Sequence, residues 1–200
     1  MTAQPMRFVR TSAPEEQARA NFYALLSRLF YAPPDAALLA ALAQADELEG
    51  EDDALADAWA GLCRAAAVTD AEAVRDEFDS VFIGTGKAAV TLYTSAYSIK
   101  YSNEAPLAAL RGELAELGLR GERAEPEDHI AALCDVMRYL IAEGEGGLDQ
   151  QKRFFARWIE PSAQPLCAAI ERNDQTSFYK HVARLAKTFF SLEHSAFEML

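Results

Sequence analysis

The chain has 200 residues, half of them apolar and a quarter charged, enough to close a core without disulfide or metal staples. No apolar run approaches ~18 residues, so the composition fits neither a membrane span nor wholesale disorder. With 19 basic against 31 acidic residues the net charge is −12, which opposes nucleic acid and anionic membranes and favours basic partners. Cys63, Cys134 and Cys167 form no CxxC pair, which argues against a disulfide framework or a four-thiolate metal site. The opening residues carry Arg7 and Arg10 but no apolar secretion core, so the cytoplasm is the expected compartment.

The chain's 39 Ala and 22 Leu outnumber 7 Val, 6 Ile and 8 Thr, a balance that favours helix over strand. The expected fold is all-α, a compact multi-helix bundle. Ser12, Pro14 and Glu15 supply a cap, a first-turn proline and an acidic third position for a helix carrying Phe22, Leu25, Leu26 and Leu29. Pro33 and Pro34 stop it, and a short helix follows over about 35–45. The stretch 46–57, with seven carboxylates and no base, reads as a solvated loop and helix start ahead of Trp59, Leu62 and Cys63. Thr69 and Glu72 read as a capping box before the stripe Val74, Phe78, Val81 and Phe82.

Periodicity breaks at Gly84-Thr85-Gly86, and residues 85–102 are predicted to form the longest predominantly nonhelical connection. Its tyrosines, Tyr93, Tyr97 and Tyr101, argue against a plain linker. Leu107, Leu110, Leu114 and Leu117 mark an amphipathic helix ending near Gly118. Pro126 is placed in the first turn of the next, which turns Ile130, Leu133 and Met137 inward and ends at Gly144, Gly146 and Gly147. Phe154, Phe155 and Trp158 suggest a helix cut off by Pro161; a short piece over 164–171 and a final helix over 175–199 complete the chain. No Pro/Ser-rich linker divides it, so residues 1–14 are expected to be a flexible segment and 15–200 a single domain, either monomeric or exchanging helices in a dimer.

Catalytic patterns fail on inspection. Gly84-Thr85-Gly86-Lys87 is followed by Ala88 and follows no strand, so it is not a phosphate loop, and GxGxxG, HExxH and GxSxG are absent. The consecutive Glu127, Asp128 and His129 point in different directions on a helix and cannot all serve one ion. Asp128 and His129 could pair as acid and base, or Asp128 could cap a helix start; both readings stay open. Cys134, among apolar neighbours, reads as a buried residue rather than a nucleophile. No catalytic residue, metal or cofactor is expected, and binding is better motivated than turnover. If the Phe78/Val81/Phe82 stripe, the tyrosine loop and Asp128/His129 converge, they make an apolar cleft with a polar rim for a peptide; otherwise Phe78 and Phe82 are ordinary core positions.

Phe82-Ile83-Gly84, Leu92-Tyr93-Thr94-Ser95-Ala96-Tyr97, Leu110-Arg111 and especially Pro126-Glu127-Asp128-His129-Ile130 resemble the TorD/DmsD family of molybdoenzyme maturation chaperones, related to the NarJ-type assembly factors. The resemblance runs from about Phe22 to Leu192. It implies a cytoplasmic all-α chaperone of the TorD/DmsD type, without turnover. Such a protein binds the twin-arginine signal peptide, or the immature catalytic subunit, of a molybdenum-cofactor oxidoreductase and supports cofactor insertion before export or assembly. Carried over residue by residue, it places Phe78, Val81 and Phe82 on the peptide-contacting helix. Gly84 opens the turn, Tyr93, Ser95 and Tyr97 shape the loop, and Asp128 with His129 forms the polar pair. The alternatives are a helical assembly subunit and a small-molecule-binding enzyme.

Overall fold

The computed structural model describes residues 14–48, 53–98, 104–119, 126–143 and 146–200. Ser12, Tyr101, Gly121, Glu125 and Gly144, together with the N-terminal segment before Pro14, lie outside them. The described residues are helical almost throughout: α1 Pro14–Tyr31, α2 Ala36–Ala43, α3 Asp53–Val68, α4 Ala71–Phe78, α5 Ser95–Ser98, α6 Glu104–Glu116, α7 Ile130–Ala142, α8 Gly147–Phe154, α9 Glu160–Arg172 and α10 Phe178–Glu198. No strand occurs among them, and one isolated antiparallel bridge joins Tyr93 to His129. The all-α bundle read from the Ala/Leu balance is the fold observed.

The longest apolar stripes find each other. α1 packs along α7, α10 lies between α9 and α3, and α2 rests on α3. Tyr23, Leu26, Leu29 and Phe30 of α1, Leu133, Met137 and Leu140 of α7, and Tyr179, Val182, Phe189 and Phe190 of α10 are all buried. Each such side chain contributes ~1.5–3 kcal/mol by leaving water. One charge is taken into this core: Glu193 accepts bonds from Arg19 Nε at 2.6 Å, Arg19 Nη2 at 2.8 Å and Tyr23 Oη–H at 3.0 Å. The anion is stable there because its oxygens are filled by one cation and one hydroxyl.

Several element boundaries differ from the sequence reading. The cap of α4 is Asp70, whose carboxylate accepts Glu72 N–H at 3.0 Å and Ala73 N–H at 2.9 Å, while the Thr69 hydroxyl turns back to Ala65 C=O at 2.8 Å. Pro161 does not end a helix. A π turn, Phe155–Ile159, follows α8, and Pro161 falls in the first turn of α9, where its missing N–H costs nothing, so the expected short piece is part of α9. Pro126 precedes a turn instead of opening α7, which starts at Ile130 with His129 as its cap. A second π turn, Asp79–Ile83, extends α4 and leads into the connection that forms the candidate site.

Candidate functional site

The connection begins at a position only glycine fills. Gly84 sits at φ +64°, and a Cβ there would come 2.5 Å from Lys87 C=O, so both backbone conformation and close approach exclude a side chain. The chain then doubles back: Val90 N–H donates to Val81 C=O at 3.0 Å, and Val90 and Leu92 are buried. From Leu92 the loop pairs with the entry to α7. Ile130 N–H donates to Leu92 C=O at 2.9 Å and Thr94 N–H to Asp128 C=O at 2.9 Å, which places Tyr93 opposite His129, ring centroids 5.2 Å apart and edge to face.

Asp128 secures this pairing with its side chain. Its carboxylate Oδ2 accepts Ser95 N–H at 2.9 Å, ordering the start of α5, and its carbonyl accepts the Thr94 hydroxyl at 3.1 Å. The residue is 3% exposed, and Oδ1 has no hydrogen-bond partner. The capping role that sequence reasoning left open for Asp128 falls to its neighbour: His129 Nδ1 accepts Ala131 N–H at 3.2 Å, which leaves Nε2 to carry the ring proton. Tyr97 closes the loop on itself by donating its hydroxyl to Thr91 C=O at 2.8 Å. Burial, together with the nearby Cys167, raises its pKa, so the phenol stays protonated.

Tyr93, Ser95, Asp128 and His129 are thus brought into one hydrogen-bonded corner, with Tyr97 attached through Thr91 and Gly84 at the turn leading in. Phe78, Val81 and Phe82 reach the corner through the backbone bond from Val90, but their side chains lie in the core. Phe82 stacks edge-on against Phe78 at 5.1 Å and Tyr179 at 4.9 Å. Ile83, next in sequence, is 60% exposed.

Two residues quoted in the resemblance motifs, but given no role there, act as supports. Thr94 bonds Asp128 twice, and Arg111 of α6 grips Glu127 with bonds of 2.5 and 3.3 Å, holding its carboxyl below the usual carboxylate range. The proximity of Arg111 to Glu127 in space has no local signal, because 16 positions separate them. α6 and the π turn after α8 flank a groove of about 740 Å³, in which Glu113 accepts Trp158 Nε1–H at 2.8 Å.

The corner offers backbone-anchored aromatic and imidazole groups rather than a nucleophile with its base. Among the described residues no set of three or more His, Cys, Asp and Glu is placed to hold a metal, and no helix is long and apolar enough to cross a membrane.

Comparison with known proteins identifies the family. The sequence model of the family described as "Nitrate reductase delta subunit" matches residues 48–168, more than half of the chain. A protein named "Chaperone protein TorD" from Shewanella loihica is 28% identical over 208 residues, covering 92% of this chain and 94% of that protein. The chain therefore belongs to the nitrate reductase delta subunit family, in keeping with its resemblance to the TorD/DmsD chaperones.

Proposed function

We propose that this chain is a cytoplasmic maturation chaperone that holds the immature catalytic subunit of a molybdenum-cofactor oxidoreductase, through its twin-arginine leader, until the cofactor is in place. The general class, a TorD-like chaperone of molybdoenzyme maturation, follows from the family. The single observation that carries the finer reading is the loop–α7 corner, where Leu92–Tyr97 and Asp128–Ile130 interlock by backbone bonds and through the Asp128 carboxylate. We assign peptide contact to Tyr93, Tyr97, His129 and the Gly84 turn, which retain exposed surface, and a supporting role to Phe78, Val81, Phe82, Ser95 and Asp128 beneath them. Residues 15–200 act as one chaperone domain.

The energetics suit reversible holding. Burying ~400 Å² of apolar leader surface offers roughly 10 kcal/mol gross, most of it cancelled by ordering the peptide. A net charge of −12 adds long-range attraction for a basic leader. No covalent step is required, so the chain works without turnover.

The test is to titrate the purified chain with the oxidoreductase precursor and with the same enzyme lacking its leader, at several salt concentrations. The precursor is expected to bind more tightly, with affinity falling as salt rises and apolar contacts preserving part of it. Equal affinities would remove leader recognition from the reading, and binding to neither would remove the chaperone role.

A further inference from the structure

A twin-arginine leader brings adjacent guanidinium groups, yet the Asp128 carboxylate of the corner is spent inside the fold. Asp128 is 3% exposed and already holds Ser95 N–H. The cations need an exposed acidic surface, and stable recognition needs that surface to be concave and partly apolar. One such place exists away from the loop–α7 corner, between the exit of α2 and the outer face of α3. It is a groove of about 560 Å³, walled by Leu48, Trp59 and Cys63 and rimmed by Asp46, Glu47 and Asp57.

Its chemistry is already arranged. Trp59 Nε1–H donates to Asp46 C=O at 2.9 Å, and Phe22 meets the ring near-perpendicular at 6.0 Å, which together fix the orientation of the indole. Asp46, Glu47 and Asp57 are exposed, and no cation among the described residues pairs with them. Arg64 is the one base in the lining, so the rim stays net negative.

We propose that this α2–α3 groove takes the arginine pair of the leader, the guanidinium groups lying against the Trp59 ring and bonding to the Asp46, Glu47 and Asp57 carboxylates. A guanidinium is planar and weakly hydrated, stacks on an indole face and bonds carboxylates through two parallel N–H groups; an ammonium does neither as well. The proposal rests on the leader-binding reading above and adds where the cations go. It also gives Asp46, Glu47 and Asp57 a partner, in place of a purely solvating role.

The probe is a synthetic peptide with an Arg-Arg pair followed by apolar residues, titrated into the full chain carrying Trp158→Phe, so that Trp59 is the remaining indole. Trp59 emission is expected to shift on binding. Asp46→Asn with Asp57→Asn is expected to weaken binding about tenfold at low salt, and a Lys-Lys peptide to bind less tightly than the Arg-Arg one. Both aspartates are exposed, so the charge variant keeps its fold, which a denaturant melt verifies. Equal affinity for wild type and charge variant, with unmoved Trp59 emission, overturns the groove assignment while leader binding stands. Absence of peptide binding to the wild type overturns both. A changed sedimentation coefficient in the charge variant with unchanged peptide affinity assigns the groove to a second copy of the chain and likewise overturns the proposal.

Discussion

Phe82→Ala separates a core role from a contact role at the helix that leads into the site. Phe82 is 7% exposed and its ring packs against Phe78 at 5.1 Å and Tyr179 at 4.9 Å. Tyr179 cannot swing in to fill the space, because its hydroxyl is bonded to Leu29 C=O at 3.0 Å and its N–H to Glu77 at 2.7 Å. Truncation therefore leaves a cavity, with an expected cost of ~3–5 kcal/mol. The position sits at the end of a π turn beside a loop that can partly settle, which favours the lower end. In a chain of this size each kcal/mol moves Tm by ~2–4 °C, so a fall of roughly 6–12 °C is expected.

The assay is denaturant unfolding at constant m, run beside calorimetric titration of the leader peptide on the folded protein. Affinity is expected to change by less than roughly threefold, since the aromatic supports the surface without meeting the ligand. Ile83→Ala is the paired control: at 60% exposure it should cost under ~1 kcal/mol of stability. If Phe82→Ala unfolds like wild type and loses affinity tenfold or more, the ring leaves the core to meet the peptide, and the argument from burial is wrong.

Asp128→Ala strands the Ser95 N–H and is expected to cost ~2–3 kcal/mol, whereas Asp128→Asn keeps an acceptor, removes a buried charge and should cost under ~1 kcal/mol; equal losses in urea unfolding would refute the clamp. Glu193→Ala leaves Arg19 and the Tyr23 hydroxyl without their shared acceptor, for an expected loss of ~3–5 kcal/mol, and a near-neutral result would mean that water repairs the site. Burial, then the nearby Arg184 and Arg64, holds the His181 pKa below its ordinary 6.5 against the opposing pull of Glu77. The folded state therefore binds fewer protons than the unfolded one as pH falls through 6.5, stability drops there, and His181→Gln should flatten that part of a stability–pH curve.

Much of the bundle is legible in sequence because its signals are local. Asp35 caps α2 by accepting Leu38 N–H at 2.8 Å, and Gly118, at φ +74°, follows α6 as the glycine after a leucine stripe suggests. The misplaced boundaries have nonlocal or subtle causes. α10 starts at Phe178, later than its periodicity indicates, and its free N–H groups at Ser177, Phe178 and Tyr179 are taken by Glu77, about 100 positions earlier. Pro161 reads as a stop because proline interrupts an α-helical ladder, but the π turn before it shifts the bonding by one residue and makes the proline a beginning.

The site was half legible for the same reason. Tyr93, Ser95, Asp128 and His129 stand out as residue types, yet their roles depend on which carbonyl or N–H each one meets. A carboxylate just ahead of a helix ordinarily serves that helix; here His129 occupies the capping position, and Asp128 turns to Ser95, 33 residues earlier. That exchange fixes the Tyr93 and His129 rings between a backbone bridge and two caps before any ligand arrives. A peptide meeting those rings has little loop entropy left to remove, so more of its contact energy survives as affinity. The same clamp withdraws the Asp128 carboxylate from the surface, so in the proposed reading the leader's cations meet the Asp46, Glu47 and Asp57 carboxylates of the α2–α3 groove instead.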